Sequence, residues 1–290
     1  MKVGLIGINI GVETPEEVIG LARMAEGIGM ESVWTFEHVM VPTSYESRYP
    51  YTQDGKMTVS PETNMIDPLI ALSVVAANTQ SLRLGTGVNI LPQANPLYLA
   101  KQAASLDFMS GGRFMLGVGI GWLAEEFKAV GVPFERRGAR HDDYLEALRK
   151  AWSGEVVEHQ SDFIDWSGFK CHPLPVQEPL PLVIGGSKGR IFERVARFGN
   201  GWFAPTTSVA QIEPLLPPLD EALAAEGRSR DSLEITTMWV PQMESVDWLA
   251  RYEELGIDRL LVPMALMGEA PLEGLERFGE EVMSQVRRGV

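Results

Sequence analysis

Three times along the chain a helical stretch runs into a glycine and a strand-like run begins shortly after. The segments are Gly29-Met30-Glu31-Ser32-Val33, Gly199-Asn200-Gly201-Trp202-Phe203 and Gly256-Ile257-Asp258-Arg259-Leu260. A glycine at such a joint can take the left-handed conformation that closes a helix. Recurrence of one helix-to-strand joint implies a repeated β/α unit. Strands separated by helices cannot pair as hairpins, and short helical crossovers produce parallel strands. That constraint leaves two architectures: a closed (β/α)8 barrel or a doubly wound open sheet.

The count of units favours the barrel. Apolar runs suited to buried strands lie at Val3–Ile8, Ser32–Phe36, Leu82–Val88, Phe114–Val118, Leu182–Ile184, Gly201–Phe203, Leu233–Thr237 and Arg259–Val262. Each is followed by helical sequence. Thr14-Pro15, Asp67-Pro68 and Asn95-Pro96 combine a capping side chain with proline at the first helical position, and Glu17 completes a capping box with Thr14. Further helices are predicted from Trp122, over Lys188–Phe198, Ile212–Glu226 and Val246–Leu255, and from Leu272 to Arg287. Eight units in 290 residues fit an α/β fold of the (β/α)8 TIM-barrel type, taken as one domain over 1–290. Two segments interrupt the repeat. Residues 37–66 exceed a plain βα loop, and long loops in compact domains tend to be functional. Residues 154–181 read as an insertion before the fifth strand, with a hairpin in it.

Charge and cysteine content narrow the function. With 25 Lys and Arg against 39 Asp and Glu, the net charge is −14, which opposes binding to nucleic acid or anionic membranes. The single cysteine, Cys171, excludes an internal disulfide framework and a cysteine-cluster zinc site. A cytoplasmic setting fits. The N-terminal run reads as a strand and not as a signal peptide, and no apolar stretch is long enough to span a membrane.

In a barrel, chemistry gathers at the C-terminal strand ends. Glu37-His38 stands there, after the second strand, where an imidazole can donate or accept a proton or satisfy loop backbone. His141, His159 and His172 fall away from strand ends and read as surface or insertion residues. No histidine pair has ligand spacing, so no metal is expected. Gly117-Val118-Gly119-Ile120-Gly121 lets a flat ligand or phosphate approach the backbone, or makes a tight turn without one. With Trp122 in place of the last small residue, it is not a dinucleotide fingerprint. Gly185-Gly186-Ser187, with Lys188 and Arg190 beyond, has the free N–H groups and cations of a phosphate site. Trp34, Trp122 and Trp202 lie near strand ends and suit either a core or a pocket wall. Glu125-Glu126 and Glu253-Glu254 read as solvated helix surface. No GxSxG elbow is present, so covalent hydrolysis has no support.

Together these segments resemble the luciferase-like oxidoreductase superfamily of (β/α)8 barrels, which bind FMN or the deazaflavin coenzyme F420. The matching stretches are Leu84–Pro92 with Asn95-Pro96, Ser110–Trp122, Leu182–Ser187 and Gly199–Trp202. The resemblance implies a non-proline cis peptide at Gly87–Val88, forming a bulge behind the cofactor ring. It implies a phosphate site at Gly185, Gly186 and Ser187, and contacts along the cofactor from Gly119, Ile120 and Gly121. It gives His38 the role of proton donor or acceptor, with Glu37 orienting it or touching the cofactor. Trp122 replaces a glutamate of the family's sugar-phosphate dehydrogenases, which argues against that substrate.

The implied function is hydride transfer between coenzyme F420 and a small organic substrate. A reduced-FMN monooxygenase using O2 and served by a separate flavin reductase is the close alternative. A non-catalytic flavin-binding protein is a third. The family often forms homodimers.

Overall fold

The computed structural model describes residues 1–286. The strands are β1 (Lys2–Ile6), β2 (Ser32–Thr35), β3 (Arg83–Thr86), β4 (Asn89–Ile90), β5 (Phe114–Gly119), β6 (Val157–Gln160), β7 (Asp165–Phe169), β8 (Leu182–Gly185), β9 (Gly201–Ala204), β10 (Glu234–Met238) and β11 (Arg259–Pro263). The helices are α1 (Pro15–Gly27), α2 (Pro68–Asn78), α3 (Pro96–Ser110), α4 (Ala124–Ala129), α5 (Arg137–Ala151), α6 (Ile191–Phe198), α7 (Val209–Ile212), α8 (Leu216–Ala225), α9 (Leu249–Glu254), α10 (Pro271–Phe278) and α11 (Ser284–Val286). A π-helical turn at Gly279–Met283 divides the predicted closing helix, whose expected end at Arg287 lies outside the described residues. Among the described residues, no helix is long and apolar enough to cross a membrane.

The sheet runs β3-β2-β1-β11-β10-β9-β8-β5 with every neighbour parallel, and β3 pairs again with β5 to close it. This is the (β/α)8 barrel. The insertion carries the antiparallel hairpin β6–β7, and its exit is tied down where buried Asp107 Oδ2 accepts the N–H groups of Val176 (2.7 Å) and Gln177 (3.0 Å). The three predicted caps form. Thr14 Oγ1 accepts from Glu17 N at 3.3 Å, Asp67 Oδ1 from Leu69 N and Ile70 N at 2.9 Å each, and Asn95 Oδ1 from Leu97 N at 3.0 Å.

Side chains alternate across each strand, so every second residue points into the barrel. Ile6, Trp34, Met115, Val183, Phe203 and Leu261 form that inner cluster, while a larger one packs the strands against the helices. The inner cluster holds two large aromatics, and the strands beside them supply glycine. A methyl carbon on Gly85 would lie 2.4 Å from Trp34 Cδ2, so no larger residue fits under that ring.

Two expectations are corrected. Gly29 (φ +80) and Gly256 (φ +74) take the left-handed conformation, but Gly199 (φ −77) does not. Gly199 is small for want of space, since a methyl there would stand 2.9 Å from Val195 O. The predicted strand Leu82–Val88 ends at Thr86 as β3, and a second short strand, β4, begins beyond it at Asn89, with the cis Gly87–Val88 peptide between them. The Thr86 hydroxyl bridges the gap, accepting from Gly117 N (2.8 Å) and donating to Gly117 O (2.7 Å). Both buried backbone groups stay satisfied, as burial requires.

Candidate active site

The β2 end sets the geometry of the barrel mouth. Buried Asn9 accepts from Phe36 N (3.0 Å) and donates to Phe36 O (2.9 Å) and Ile66 O (2.7 Å). One amide thus pins both ends of the long loop 37–66 to the rim. The next two side chains are Glu37 and His38.

Glu37 is held by its neighbours. Asn89 Nδ2 donates to it at 2.7 Å, and the Ile90 N–H also donates to its carboxyl. Burial, together with the Glu126 and Asp67 carboxylates, pushes Glu37 up to about 8 against the lowering effect of Ile90. His38 Nδ1 lies 3.0 Å from Glu126 Oε2, and Glu126 Oε1 accepts from Val39 N at 2.5 Å. Glu126 is 2% exposed, which overturns the reading of Glu125-Glu126 as solvated surface. Glu125 is also engaged, since its Oε1 accepts from Glu46 N (2.7 Å) and Ser47 N (3.2 Å). Burial works to raise Glu125, but the Ser47 hydroxyl and these backbone groups bring it down to about 2. The first turn of α4 therefore anchors both His38 and the loop that follows it.

Trp122 faces the same place. Its ring meets His38 edge-on at 5.9 Å, Tyr45 at 5.8 Å and Tyr49 at 5.1 Å. Trp34 and Trp202 are fully buried, so of the three tryptophans only Trp122 forms a wall beside His38. His141 is completely buried in α5, contrary to expectation. Burial holds it below the usual histidine range, and neither ring nitrogen has a hydrogen-bond partner. His159 belongs to the insertion hairpin and bonds Asp143 at 2.9 Å.

The glycines singled out from the sequence surround the cis bulge. A methyl on Gly119 would stand 2.7 Å from Val88 Cγ2, and one on Gly185 2.5 Å from Val88 Cγ1. Val88 therefore fills the room these glycines leave. Gly121 (φ +72) is hemmed in by Ile90 and Phe127, at 2.7 and 2.8 Å from a would-be methyl, and its carbonyl accepts from Arg137 Nε at 3.1 Å. Ile120 between them is half-buried. In the β8 turn, Gly186 N donates to Phe203 O (3.1 Å) and Gly186 O accepts from Trp202 Nε1 (2.8 Å). Both Gly186 backbone groups are thus spent inside the protein. Ser187 takes no hydrogen bond from the described residues, and the exposed Lys188 and Arg190 follow it. Asn89, which bonds Glu37, keeps its Oδ1 buried without a partner, and both ends of the Gln93 amide, just after β4, are buried without partners too. Buried polar atoms of this kind call for a partner, and the polar edge of a planar ring would supply one. Among the described residues, no group of His, Cys, Asp and Glu is arranged to hold a metal.

The family model described as luciferase-like monooxygenase matches residues 5–247. The chain belongs to this family. Among curated relatives, the uncharacterized protein Rv0953c of Mycobacterium tuberculosis is 33% identical over 245 residues, covering 84% of this chain and 85% of its own. The coenzyme F420-dependent tetrahydromethanopterin reductase of Methanopyrus kandleri superposes with a TM-score of 0.76 at 16% identity, covering 98% of each chain. An F420-dependent secondary alcohol dehydrogenase, solved with an F420–acetone adduct, gives 0.79 at 14% identity, covering 97% of this chain and 98% of its own. These structures share the barrel.

Glu126, Asn89, Tyr45 and Tyr49 escaped the sequence reading. For Glu126 a signal existed. It lies in the first helical turn after a strand end, which in a barrel is the mouth and not the outer helix surface.

Proposed function

We propose that the chain is an oxidoreductase that transfers hydride between coenzyme F420 and a small organic substrate. The observation that carries this reading is the meeting of three things at one mouth: His38, the Val88 bulge, and the unpaired Asn89 and Gln93 groups. Both structural neighbours named above are F420-dependent enzymes. Bound coenzyme supplies the redox chemistry, and the protein orients it and excludes water. Val88, with Gly87 before it, backs the ring. Ser187, with Gly185 and Gly186 shaping its turn, holds the phosphate beside Lys188. Gly119, Ile120 and Gly121 line the path between. Glu37 fixes the β4 end through Asn89 and Ile90. His38 donates or accepts the substrate proton. Trp122, Tyr45 and Tyr49 give that side of the site an aromatic wall, which suits a neutral organic substrate better than a phosphorylated sugar.

The second reading is a reduced-FMN monooxygenase that uses O2 and takes its flavin from a separate reductase. The family's own description favours it. Titration of the purified protein with F420 and, separately, FMN separates the two, because the chain has seven tryptophans whose emission a bound flavin or deazaflavin quenches. Micromolar binding of F420 alone supports hydride transfer. Preferential FMN binding moves the reading to oxygen chemistry. Binding of neither overturns the cofactor assignment. A second copy of the chain as partner is supported by exposed Ile70 on α2 and by Tyr98, Phe108 and Met109 on α3.

A further inference from the structure

The Glu126 carboxylate meets His38 through Nδ1 alone, at 3.0 Å. Glu126 Oε1 accepts from Val39 N at 2.5 Å and, more weakly, from Met40 N at 3.5 Å. Its other oxygen lies 3.0 Å from His38 Nδ1. A carboxylate only accepts hydrogen bonds, and a histidine nitrogen facing one is a donor. In neutral imidazole the other nitrogen then carries the lone pair. His38 Nε2 has no hydrogen-bond partner among the described residues and is not among the sealed, unpaired buried atoms. The His38 side chain keeps 14% of its surface accessible.

We infer that Glu126 is a positioning residue that sets the tautomer of His38, keeping the proton of the neutral ring on Nδ1 so that Nε2 is presented to the site as a proton acceptor. This rests on the proposed role of His38 in proton transfer. It adds an order of events, since the first group to meet Nε2 must bring a proton, as a hydroxyl-bearing substrate does. A carbonyl substrate would meet a competent donor only after His38 has been protonated. The same carboxylate holds the backbone at Val39, so ring orientation and tautomer are set together.

The test is nitrogen-15 NMR of the histidine side chains in the full-length, cofactor-free protein. With four histidines, the His38 signals are assigned by their loss in His38→Gln. Wild type is expected to show the proton on Nδ1 of neutral His38. In Glu126→Gln, the amide oxygen can still accept from Val39 N while its NH2 faces Nδ1, so the proton is expected to move to Nε2. A proton on Nε2 in wild type overturns the inference, and so does an unmoved proton in Glu126→Gln. Should that variant fail to fold, the wild-type spectrum alone decides. Neither result depends on which cofactor binds, so failure here is distinct from failure of the F420 titration. With a substrate in hand, Glu126→Gln should lower kcat roughly 100-fold or more with KM little changed, as for other wrong-tautomer histidines.

Discussion

Val88 occupies the space in front of Gly185, so that a methyl group on Gly185 would stand 2.5 Å from Val88 Cγ1. The two residues are therefore expected to be energetically coupled. Gly185→Ala should destabilise the barrel by about 1–3 kcal/mol through overpacking. Val88→Ala should cost a similar amount by leaving a void. The double variant should cost at least ~1 kcal/mol less than the sum, because each change relieves the other. Urea unfolding of the four proteins measures this, and strict additivity would show that the two side-chain positions do not compete.

Glu37 predicts a pH dependence of stability. Its folded value of about 8 lies above its ordinary 4.5. Below the ordinary value both states hold the proton and the site costs nothing. As pH rises towards 8 the unfolded chain ionises while the folded one resists, so stability falls through that window. Glu37→Gln removes the penalty, and Asn89 Oδ1, now unpaired, can accept from the new amide if Asn89 turns over. The melting temperature of Glu37→Gln should gain on wild type steadily from pH 5 to pH 8. Parallel profiles would mean that Glu37 is ionised throughout.

The barrel could be read from local signals because each is short-range. Glycine joints at Gly29 and Gly256 and caps at Thr14, Asp67 and Asn95 act within a few residues, and all five form. The break at Gly87–Val88 came only through the family resemblance, since nothing in a Leu-Gly-Thr-Gly-Val run distinguishes a split strand from a continuous one. Glu126 carried a positional signal at the barrel mouth but not the identity of its partner, since His38 lies 88 residues away and helix-surface carboxylate pairs look alike. His141 was misplaced for the matching reason. Its neighbours in α5 are mostly charged, and only the packing of the whole layer shows that its side of the helix is closed.

At the opposite end of the barrel, Arg259 should be the chief electrostatic support. Its fully buried guanidinium meets Glu31 with two bonds of 2.8 Å and Glu234 at 3.1 Å. Burial would raise Glu234, but Arg259 and Lys2 hold it down to about 2. Arg259→Met strips Glu31 of its two-bond partner and leaves Glu234 with Lys2, and because both carboxylates are partly exposed it should cost about 3 kcal/mol at neutral pH, the low end for a broken buried pair. Both glutamates are shifted below their ordinary range, so the Arg259 contribution is present above that range and fades as pH falls towards 2. The gap between variant and wild type in denaturant midpoint should shrink on acidification. A gap independent of pH would assign the loss to packing alone.

The exposed apolar residues of α3 give a prediction about assembly. Charges at Tyr98 and Met109 should convert a dimer to a monomer in sedimentation while leaving the far-ultraviolet circular dichroism unchanged. A wild-type protein that sediments as a monomer at high concentration would remove the second copy from the proposal.

Glu125 and Glu126 stand side by side, one holding the loop at Glu46 and Ser47 and the other holding His38. Anyone who retools this protein by grafting a different loop over residues 37–66 will also be disturbing the helix turn that holds the histidine. The position of the loop and the aim of the histidine share one support here. Loop libraries that leave residues 46–47 and 123–127 as they are should keep far more active members than libraries that vary them freely.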